Sequence, residues 1–507
     1  MRTFANLAFS LVFIFTFPSA QAGQVITSVE ALGAIRIVYP GTEHFEIGTA
    51  LSGIGDFNGD GFQDVAIGAP SYDPGGFGNE YDNGAVFIVF GSQLNRDRGL
   101  IDLSSQEFDG VVMMGRFESR LGHALARIGD INADGFADLA IGSENGNAGF
   151  LLFGKNAPRR LIPAADLRED GVEITYTGFS VDGAGDVNGD GFPDVVFGMP
   201  ASSKIQVQNP PGGPEEEYDI GRVVVIYGRS NFPSLIDSRI RDDGLLPLRG
   251  IAGSRVGEFV CGNFDLNADG FSDMIVVAPR GGRDLEGRAV LLSGRERFES
   301  IEYSFLIDHA RRFIRQAGDV NGDGFPDFLV GMEDQSVLLL WGGGYLHGAI
   351  DLRNLDARWG CLIKGAPSAY GVGDINGDGF PDIAAALPMD YVRDRAFAGR
   401  VVFLFGQDEW PSSLDIRTIV NGDISGINYV VVEGVEPFEA FGSCIAGAGD
   451  IQGDGFADVI IGAPTQRLPG ELRMESPGSA YLIQGRSLFM SLQSRRSQFF
   501  TQETHSR

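Results

Sequence analysis

The amino-acid sequence predicts an all-β fold, a seven-bladed β-propeller, and three observations carry this prediction. A nine-residue motif, Asp-x-(Asn/Gln)-(Gly/Ala)-Asp-Gly-Phe-x-Asp, occurs seven times at spacings of 54 to 79 residues. Each copy is followed by two short β-branched segments, and one further apolar segment precedes the first copy. Short antiparallel strands repeated at such a period are typical of propeller blades, which usually number four to eight.

The motif is rich in oxygen ligands. Aspartates occupy positions 1, 5 and 9, an amide occupies position 3, and glycine occupies position 6, where the turn needs a positive φ. A hard cation that prefers six to eight oxygen ligands suits this set, so the sequence predicts up to seven Ca²⁺ sites. The candidate ligands are Asp56, Asn58, Asp60, Asp64, Asp130, Asn132, Asp134, Asp138, Asp186, Asn188, Asp190, Asp194, Asp265, Asn267, Asp269, Asp273, Asp319, Asn321, Asp323, Asp327, Asp374, Asn376, Asp378, Asp382, Asp450, Gln452, Asp454 and Asp458.

Two other kinds of loop use similar residue types. An EF-hand needs a bidentate Glu at position 12 and flanking helices, whereas position 12 is apolar in all seven copies, as at Ile67 and Ile461. A metal-free Asx turn uses the same residue types and stays open for any single copy. Seven copies of three clustered carboxylates favour a cation, because unpaired carboxylates repel one another. The loop with Gln452 departs from the others, since its side chain is longer.

Within each repeat the predicted strands follow one order. An apolar segment with glycine enters the loop, as in Leu51–Gly55, and a buried strand follows it and ends in Gly-Ala-Pro or a relative of it. A third strand comes next, such as Ala85–Phe90, and six repeats add a weaker fourth strand, such as Val111–Met114. Each repeat therefore predicts one four-stranded blade.

The seventh repeat lacks its fourth strand, because only a polar segment follows Ile483. At the other end of the chain, Ala34–Tyr39 is a strand that precedes the first repeat and has no blade of its own. Natural sheets avoid exposed edges. The sequence therefore predicts that this N-terminal strand completes blade seven and closes the ring.

The repeats resemble FG-GAP repeats, as in the N-terminal propeller of integrin alpha subunits. The resemblance is carried by Phe441-Gly442, by the seven loops, and by Gly68-Ala69-Pro70 and Gly462-Ala463-Pro464, and it covers residues 24 to 486. The Phe-Gly element is degraded in most copies, for example Val256-Gly257. The resemblance implies a propeller with calcium loops that serves adhesion or ligand recognition. We expect a free-standing propeller, without the sandwich domains of integrin alpha subunits.

Charge and targeting signals narrow the function. The chain has 68 acidic and 39 basic residues, a formal charge of −29, which argues against nucleic-acid binding in the absence of a basic stripe. Residues 1–22 have the form of a signal peptide that ends in Ala20-Gln21-Ala22, and no later segment is apolar and long enough to span a membrane. We therefore expect an exported propeller over residues 23–486 with a polar tail at 487–507. Its expected location is extracellular or periplasmic, and we expect neither a lipoprotein nor a transmembrane protein.

Three cysteines cannot build a disulfide framework, so buried free thiols are predicted, with one pair left open. No catalytic residue is predicted, because His-Glu-x-x-His and Gly-x-Ser-x-Gly are both absent. An exported propeller enzyme that acts on polysaccharide or phospholipid, as a lyase or hydrolase, stays open as the alternative. Glycosylphosphatidylinositol-specific phospholipase D resembles the chain in its propeller, yet its catalytic zinc domain has no counterpart in this sequence.

The preferred interpretation is a non-catalytic module that binds an extracellular protein or glycan. In an up-and-down blade the calcium loops join the first and second strands, and the long connections between the second and third strands lie on the opposite face. Long loops on a rigid scaffold often carry function, although tolerated insertions would look the same. The candidate ligand contacts are Tyr72, Phe77, Tyr81, Tyr218, Tyr391, Arg393 and Arg395.

Overall fold

A computed structural model describes most of the chain between residues 26 and 488. Its described ranges are 26–40, 45–73, 82–96, 99–145, 148–201, 204–208, 215–219, 221–240, 245–249, 254–280, 286–295, 303–343, 348–354, 357–422, 426–465 and 476–488. The predicted signal peptide at 1–22 and almost all of the predicted tail lie outside these ranges.

The architecture is a seven-bladed β-propeller, as predicted. Each blade is an antiparallel sheet in which the first four strands follow one another outwards from the centre. The innermost strands are Leu51–Gly55, Leu121–Gly129, Ser180–Gly185, Phe259–Phe264, Ile314–Gly318, Ser368–Gly373 and Ile445–Gly449. The second strands all begin at position 9 of the motif: Asp64–Ala69, Asp138–Ser143, Asp194–Met199, Asp273–Ala278, Asp327–Gly331, Asp382–Leu387 and Asp458–Ala463.

The two outer positions complete each blade. The third strands are Ala85–Val89, Ala148–Leu152, Arg222–Ile226, Arg288–Leu292, Val337–Leu340, Arg400–Leu404 and Ser479–Ile483. The fourth strands are Gly110–Met114, Gly171–Thr175, Leu245–Arg249, Tyr303–Asp308, Gly360–Lys364 and Tyr429–Glu433 in blades one to six. Helices are short: Gly91–Arg96 and Ile416–Val420 are α-helical, and Glu30–Leu32, Arg168–Asp170 and Ala357–Trp359 are 3-10 turns. A separate hairpin, Lys204–Gln208 with Glu215–Asp219, extends from blade three.

The N-terminal strand closes the ring. Ile35–Val38 pairs antiparallel with Ser479–Ile483 and supplies the fourth strand of blade seven, which confirms the prediction for this segment. Ile37, whose side chain is fully buried, packs in the apolar cluster that joins blade seven to blade one. The first and last repeats are thus joined by non-covalent strand pairing.

A fifth strand in six blades was not predicted. Each fifth strand lies just before the fourth strand of one blade along the chain. It pairs in parallel with the fourth strand of the blade before it in the ring. These strands are Leu161–Pro163, Leu235–Asp237, Gly348–Asp351, Ser413–Asp415, Ile26–Ser28 and Leu100–Asp102. Each three- or four-residue strand is too short to stand out in the sequence, and its position depends on the neighbouring blade.

The hydrophobic core is divided among the blade junctions. The described residues form seven apolar clusters, and each cluster combines side chains from two adjacent blades. The second strands are buried along their whole length in every blade, as in Asp64–Ala69. Since each blade buries its faces only against its neighbours, stability depends on the complete ring.

Glycines let neighbouring blades approach through their backbones. A Cβ built on Gly68 would lie 2.1 Å from the carbonyl oxygen of Gly122 in the next blade. The same contact recurs at the closing junction, where a Cβ on Gly462 would lie 2.0 Å from the carbonyl oxygen of Gly48. The glycines of the Phe-Gly and Gly-Ala-Pro elements therefore contact each other across blade boundaries.

The cysteines are free thiols, as predicted. Cys261 and Cys361 are buried and Cys444 is partly buried, on three different blades. Burial raises the pKa of Cys361 to about 12, so this thiol stays protonated at neutral pH.

Candidate functional site

All seven motif loops lie on one face of the propeller, at the turn between the first and second strands of each blade. The connection that leaves the third strand reaches the same face, because the N–H of Gly91 contacts the Asp64 carboxylate of the first loop. The second-to-third turns and the blade-to-blade connections share the other face. Arg120, in a blade-to-blade connection, pairs there with Asp82 and Glu144 from two second-to-third turns.

In loops one to six the side chains at positions 1, 3 and 5 turn back and hydrogen-bond to the backbone of their own loop. In the first loop the Asp56 carboxylate accepts the N–H groups of Asp60 and Gly61 at 3.0 and 2.9 Å. The Asn58 side-chain oxygen accepts the Asp60 N–H at 3.0 Å, and the Asn58 amide donates to the Asp60 carboxylate at 2.9 Å. These bonds gather two carboxylates and one amide oxygen around a single exposed turn.

Position 9 has a different environment from the other carboxylates. The Asp64 side chain is fully buried and accepts the N–H of Phe57 at 2.8 Å and of Gly91 at 2.7 Å. The equivalent pair of bonds occurs in all seven blades, at 2.7 to 3.1 Å. Each position-9 aspartate thus ties its loop to the end of the third strand.

Burial raises the pKa of these position-9 carboxyls. The pKa of Asp64 rises to about 7, because desolvation outweighs the two backbone hydrogen bonds, and the charges of Asp60 and Asp56 raise it further. The pKa of Asp138 rises to about 8 for the same reasons. A nearby cation would favour the ionised form and oppose this shift.

The loop residues fit a hard cation in chemistry. Positions 1, 3 and 5 supply carboxylate and amide oxygens, the donor type that Ca²⁺ prefers. Each carboxylate oxygen that accepts one N–H retains a second lone pair. Among the described residues, however, no group of three or more His, Cys, Asp or Glu side chains is arranged to hold a metal ion.

The seventh loop differs, as its sequence suggested. When the Gln452 amide is oriented to satisfy its neighbours, its nitrogen lies 2.7 Å from Oδ2 of Asp458 and donates to it. In five other loops the position-3 Asn donates to the position-5 carboxylate instead. The longer side chain therefore reaches the buried carboxylate and leaves the exposed turn with one oxygen fewer.

Neighbouring loops contact one another around the ring. A Cβ on Gly59 would lie 2.5 Å from the ring of Phe136, which is position 7 of the next loop. The N–H of Ala137 donates to the carbonyl of Asp56 at 3.0 Å, and the N–H of Lys155 donates to the carbonyl of Phe57 at 2.9 Å. The backbone of each such loop is therefore held by the following blade.

The predicted ligand contacts lie in different parts of the structure. Tyr72 is only 7% exposed, and its ring packs against Tyr39, Phe45 and Phe87, which places it in the core and not on the ligand face. Phe77 and Tyr81 lie outside the described residues. Tyr218 lies on the outer hairpin strand Glu215–Asp219.

The connection in blade six carries the remaining three candidates. Tyr391 is 59% exposed, and its ring lies 5.1 Å from that of Phe397. Arg393 is exposed, whereas Arg395 is partly buried and donates to the Val435 carbonyl at 2.7 Å. Arg395 thus fixes this connection to the next blade boundary, while Tyr391 and Arg393 face solvent.

A cluster of arginines that the sequence did not predict lies on the face opposite the motif loops. Arg255, Arg280, Arg311, Arg312 and Arg417 line one open cleft between blades four, five and six, with a volume of about 1050 Å³. They are spread over more than 160 positions of the chain. Only the Arg311-Arg312 pair is a local signal, so the cluster is visible only in three dimensions.

Comparison with known proteins agrees with this geometry. A family model described as the FG-GAP repeat matches residues 48–89 and 177–226, and one described as the FG-GAP-like repeat matches residues 319–385. These segments fall on blades one, three, and five to six, where they span the loops and the glycine contacts. The chain therefore contains FG-GAP repeats.

Curated relatives of the chain include integrin alpha chains. It is 43% identical over 106 residues to Integrin alpha-PS3 of Drosophila melanogaster, which covers 20% of the chain and 8% of that relative. It is 31% identical over 175 residues to Integrin alpha-PS2 of the same organism, covering 32% and 12%. It is 30% identical over 295 residues to Integrin alpha pat-2 of Caenorhabditis briggsae, covering 53% and 21%. The matches span at most about a fifth of the length of these relatives. In the described part of the chain, no helix has the length and apolar character needed to cross a membrane.

Proposed function

We propose that this FG-GAP protein is an exported, calcium-binding propeller that acts as a non-catalytic adhesion or ligand-recognition module. The observation that carries the proposal is the division of the molecule into two faces. One face repeats the same oxygen-rich loop seven times, whereas the other gathers connections of varied length on a rigid ring. Resemblance to integrin alpha chains supports recognition of an extracellular protein or glycan.

Calcium would be held by the predicted ligands at positions 1, 3, 5 and 9 of the loops, for example Asp319, Asn321, Asp323 and Asp327 in blade five. Bound there, the cation would neutralise clustered carboxylates and stabilise the turn. The chain's own contacts would carry this stabilisation onwards, because position 9 ties each loop to the third strand and the next blade holds the loop backbone. Metal binding is therefore expected to stabilise the propeller as a whole.

A titration of the metal tests this part of the proposal. Excess chelator should lower the melting temperature markedly, because ligand that binds only the folded state stabilises it. Asp323→Ala should remove about one Ca²⁺ from the bound stoichiometry, measured by atomic emission, and leave the other loops loaded. A melting temperature that chelator leaves unchanged would refute calcium binding.

The ligand face can be tested on Tyr391 and Arg393, which are exposed and not needed by the core. The double variant Tyr391→Ala/Arg393→Ala should lose binding to arrays of glycans and of extracellular matrix proteins, with little change in thermal stability. Leu235→Ala is the matched control, since Leu235 is 55% exposed on the outer strand of blade two. Equal binding by both variants would contradict the assignment of this loop to the ligand face.

A further inference from the structure

The arginine-lined cleft on the face opposite the loops has a charge opposite to that of the whole protein. Its five arginines face three carboxylates, those of Glu258, Glu333 and Asp390, which leaves an excess of two positive charges. The chain as a whole has a formal charge of −29. Blades four, five and six therefore present a local cationic site in a strongly acidic molecule.

Three of the arginines are already paired. Arg255 binds Glu258 at 2.8 Å, Arg311 binds Glu333 at 2.8 Å, and Arg417 binds Asp390. Asp390 is buried and also binds Arg400 at 2.9 Å, so this acid is shared between two guanidinium groups. These pairs fix the wall of the cleft and account for all three acids that line it.

Arg280 and Arg312 are the two that have no acidic partner within the described part of the chain. The Arg312 guanidinium makes one long contact, 3.4 Å, to the Met332 carbonyl. The backbone N–H of Arg280 donates to the Ser254 carbonyl at 3.3 Å, and the Arg280 side chain is exposed. A guanidinium offers five N–H donors that match carboxylate and sulfate groups, so both side chains are available to an anionic ligand.

We infer that this cleft binds the carboxylate or sulfate groups of a linear acidic glycan, with Arg280 and Arg312 as the main anion contacts. The inference rests on the proposed recognition function and names its ligand class. The cleft is open and most of its lining residues are charged or polar, so it offers little of the desolvated apolar pocket in which peptide anchors bind. An extended chain with regularly spaced anions needs no such pocket.

One exposed apolar side chain of blade six lines the cleft, and a second follows it closely in the chain. Met389 lines the cleft and is 49% exposed, and Tyr391 follows two residues later. An exposed tyrosine has a flat apolar face and a polar tip, which suits a ligand that is polar at its edges and less so on its ring faces. The arrangement thus combines charge contacts in the cleft with one apolar contact from Met389, and the exposed Tyr391 follows closely in the chain.

The test measures binding of the whole protein, loaded with calcium, to four probes. Chondroitin sulfate hexasaccharide carries both sulfates and carboxylates, and polygalacturonate of similar length carries carboxylates alone. A neutral dextran and a polyglutamate peptide serve as controls for charge and for polymer class. Arg280→Gln/Arg312→Gln is compared with Arg168→Gln/Arg239→Gln, which removes the same charge from two exposed arginines of blade two that are paired with aspartates.

We expect the unmodified protein to bind at least one acidic glycan, and more weakly as salt is raised from about 50 to about 200 mM. The cleft variant should bind at least about tenfold more weakly, and the control variant should not change. Equal affinities of the two variants, or preference for polyglutamate over both glycans, would overturn the inference. If neither glycan binds while matrix proteins still bind, only the glycan inference fails; if nothing binds on either array, the recognition function fails with it.

Discussion

The carboxylate of Asp64 accepts the backbone N–H of Gly91 at 2.7 Å, which ties the start of the second strand of blade one to the end of its third strand. A sequence motif typical of metal binding thus contains one aspartate with a separate structural role. The same residue accepts the Phe57 N–H, so both of its oxygens are engaged.

Asp64→Ala should destabilise the propeller even without calcium. The substitution leaves the buried N–H groups of Phe57 and Gly91 without acceptors, at a cost of about 2–5 kcal/mol in the free energy of unfolding. Asp60→Ala, in the exposed part of the same loop, should cost less than about 1 kcal/mol under these conditions. Urea unfolding in chelator measures both, and equal losses would mean that position 9 has no separate structural role.

Gly68→Ala should weaken the junction between blades one and two. A Cβ at this position would lie 2.1 Å from the Gly122 carbonyl oxygen, so one of the two blades must move. We expect a loss of at least about 2 kcal/mol in the free energy of unfolding. Blade six provides the control, because Ala386 stands there in the place of Gly68 and faces Gly442. A Cβ built on Gly442 would lie 3.6 Å from the Cβ of Ala386. Ala386→Gly should therefore cost only about 1 kcal/mol in the free energy of unfolding. Similar losses for both variants would contradict the steric argument.

Ile37→Ala should show how much ring closure contributes to stability. Ile37 is fully buried on the N-terminal strand, so truncation should cost about 2–5 kcal/mol. Ile240→Ala, at a site 61% exposed, makes the same chemical change with little expected effect. Chemical denaturation of the two variants gives the comparison. A small loss at Ile37 would mean that the closing strand is not needed by blade seven.

Asp182→Asn should change how stability depends on pH. Asp182 lies on the innermost strand of blade three and accepts the N–H groups of Gly262 and Gly183; burial raises its pKa to about 7. The folded state therefore keeps a proton that the unfolded chain releases near pH 4, and this contribution to stability falls as pH rises from about 4 to about 7. Asn removes the titration, so the variant should lose less stability over this range. Melting temperatures at pH 5 and pH 8 test the difference, and parallel curves would contradict the prediction.

The sequence by itself determined the repeat number, the order of the first four strands and the place of the closing strand. Those features depend on local chemistry: each motif marks a turn, and β-branched residues such as Val65 and Ile67 mark the buried strand that follows. The N-terminal strand could be assigned to blade seven because a count of strands left one missing and one to spare.

The tertiary structure decided which residues act together. The sequence predicts Asp56, Asp60 and Asp64 as one ligand set, and only the structure shows that the Asp64 side chain is buried and accepts two backbone N–H groups. Tyr72, expected at the surface, is in the core because the aromatic rings of Tyr39 and Phe87 lie beside it. Arg280 lies in the second-to-third turn of blade four, and Arg312 lies in the connection from blade four to blade five. They share a cleft only because these two connections meet on one face. Such contacts join residues far apart in the chain, so local sequence patterns contain no signal for them.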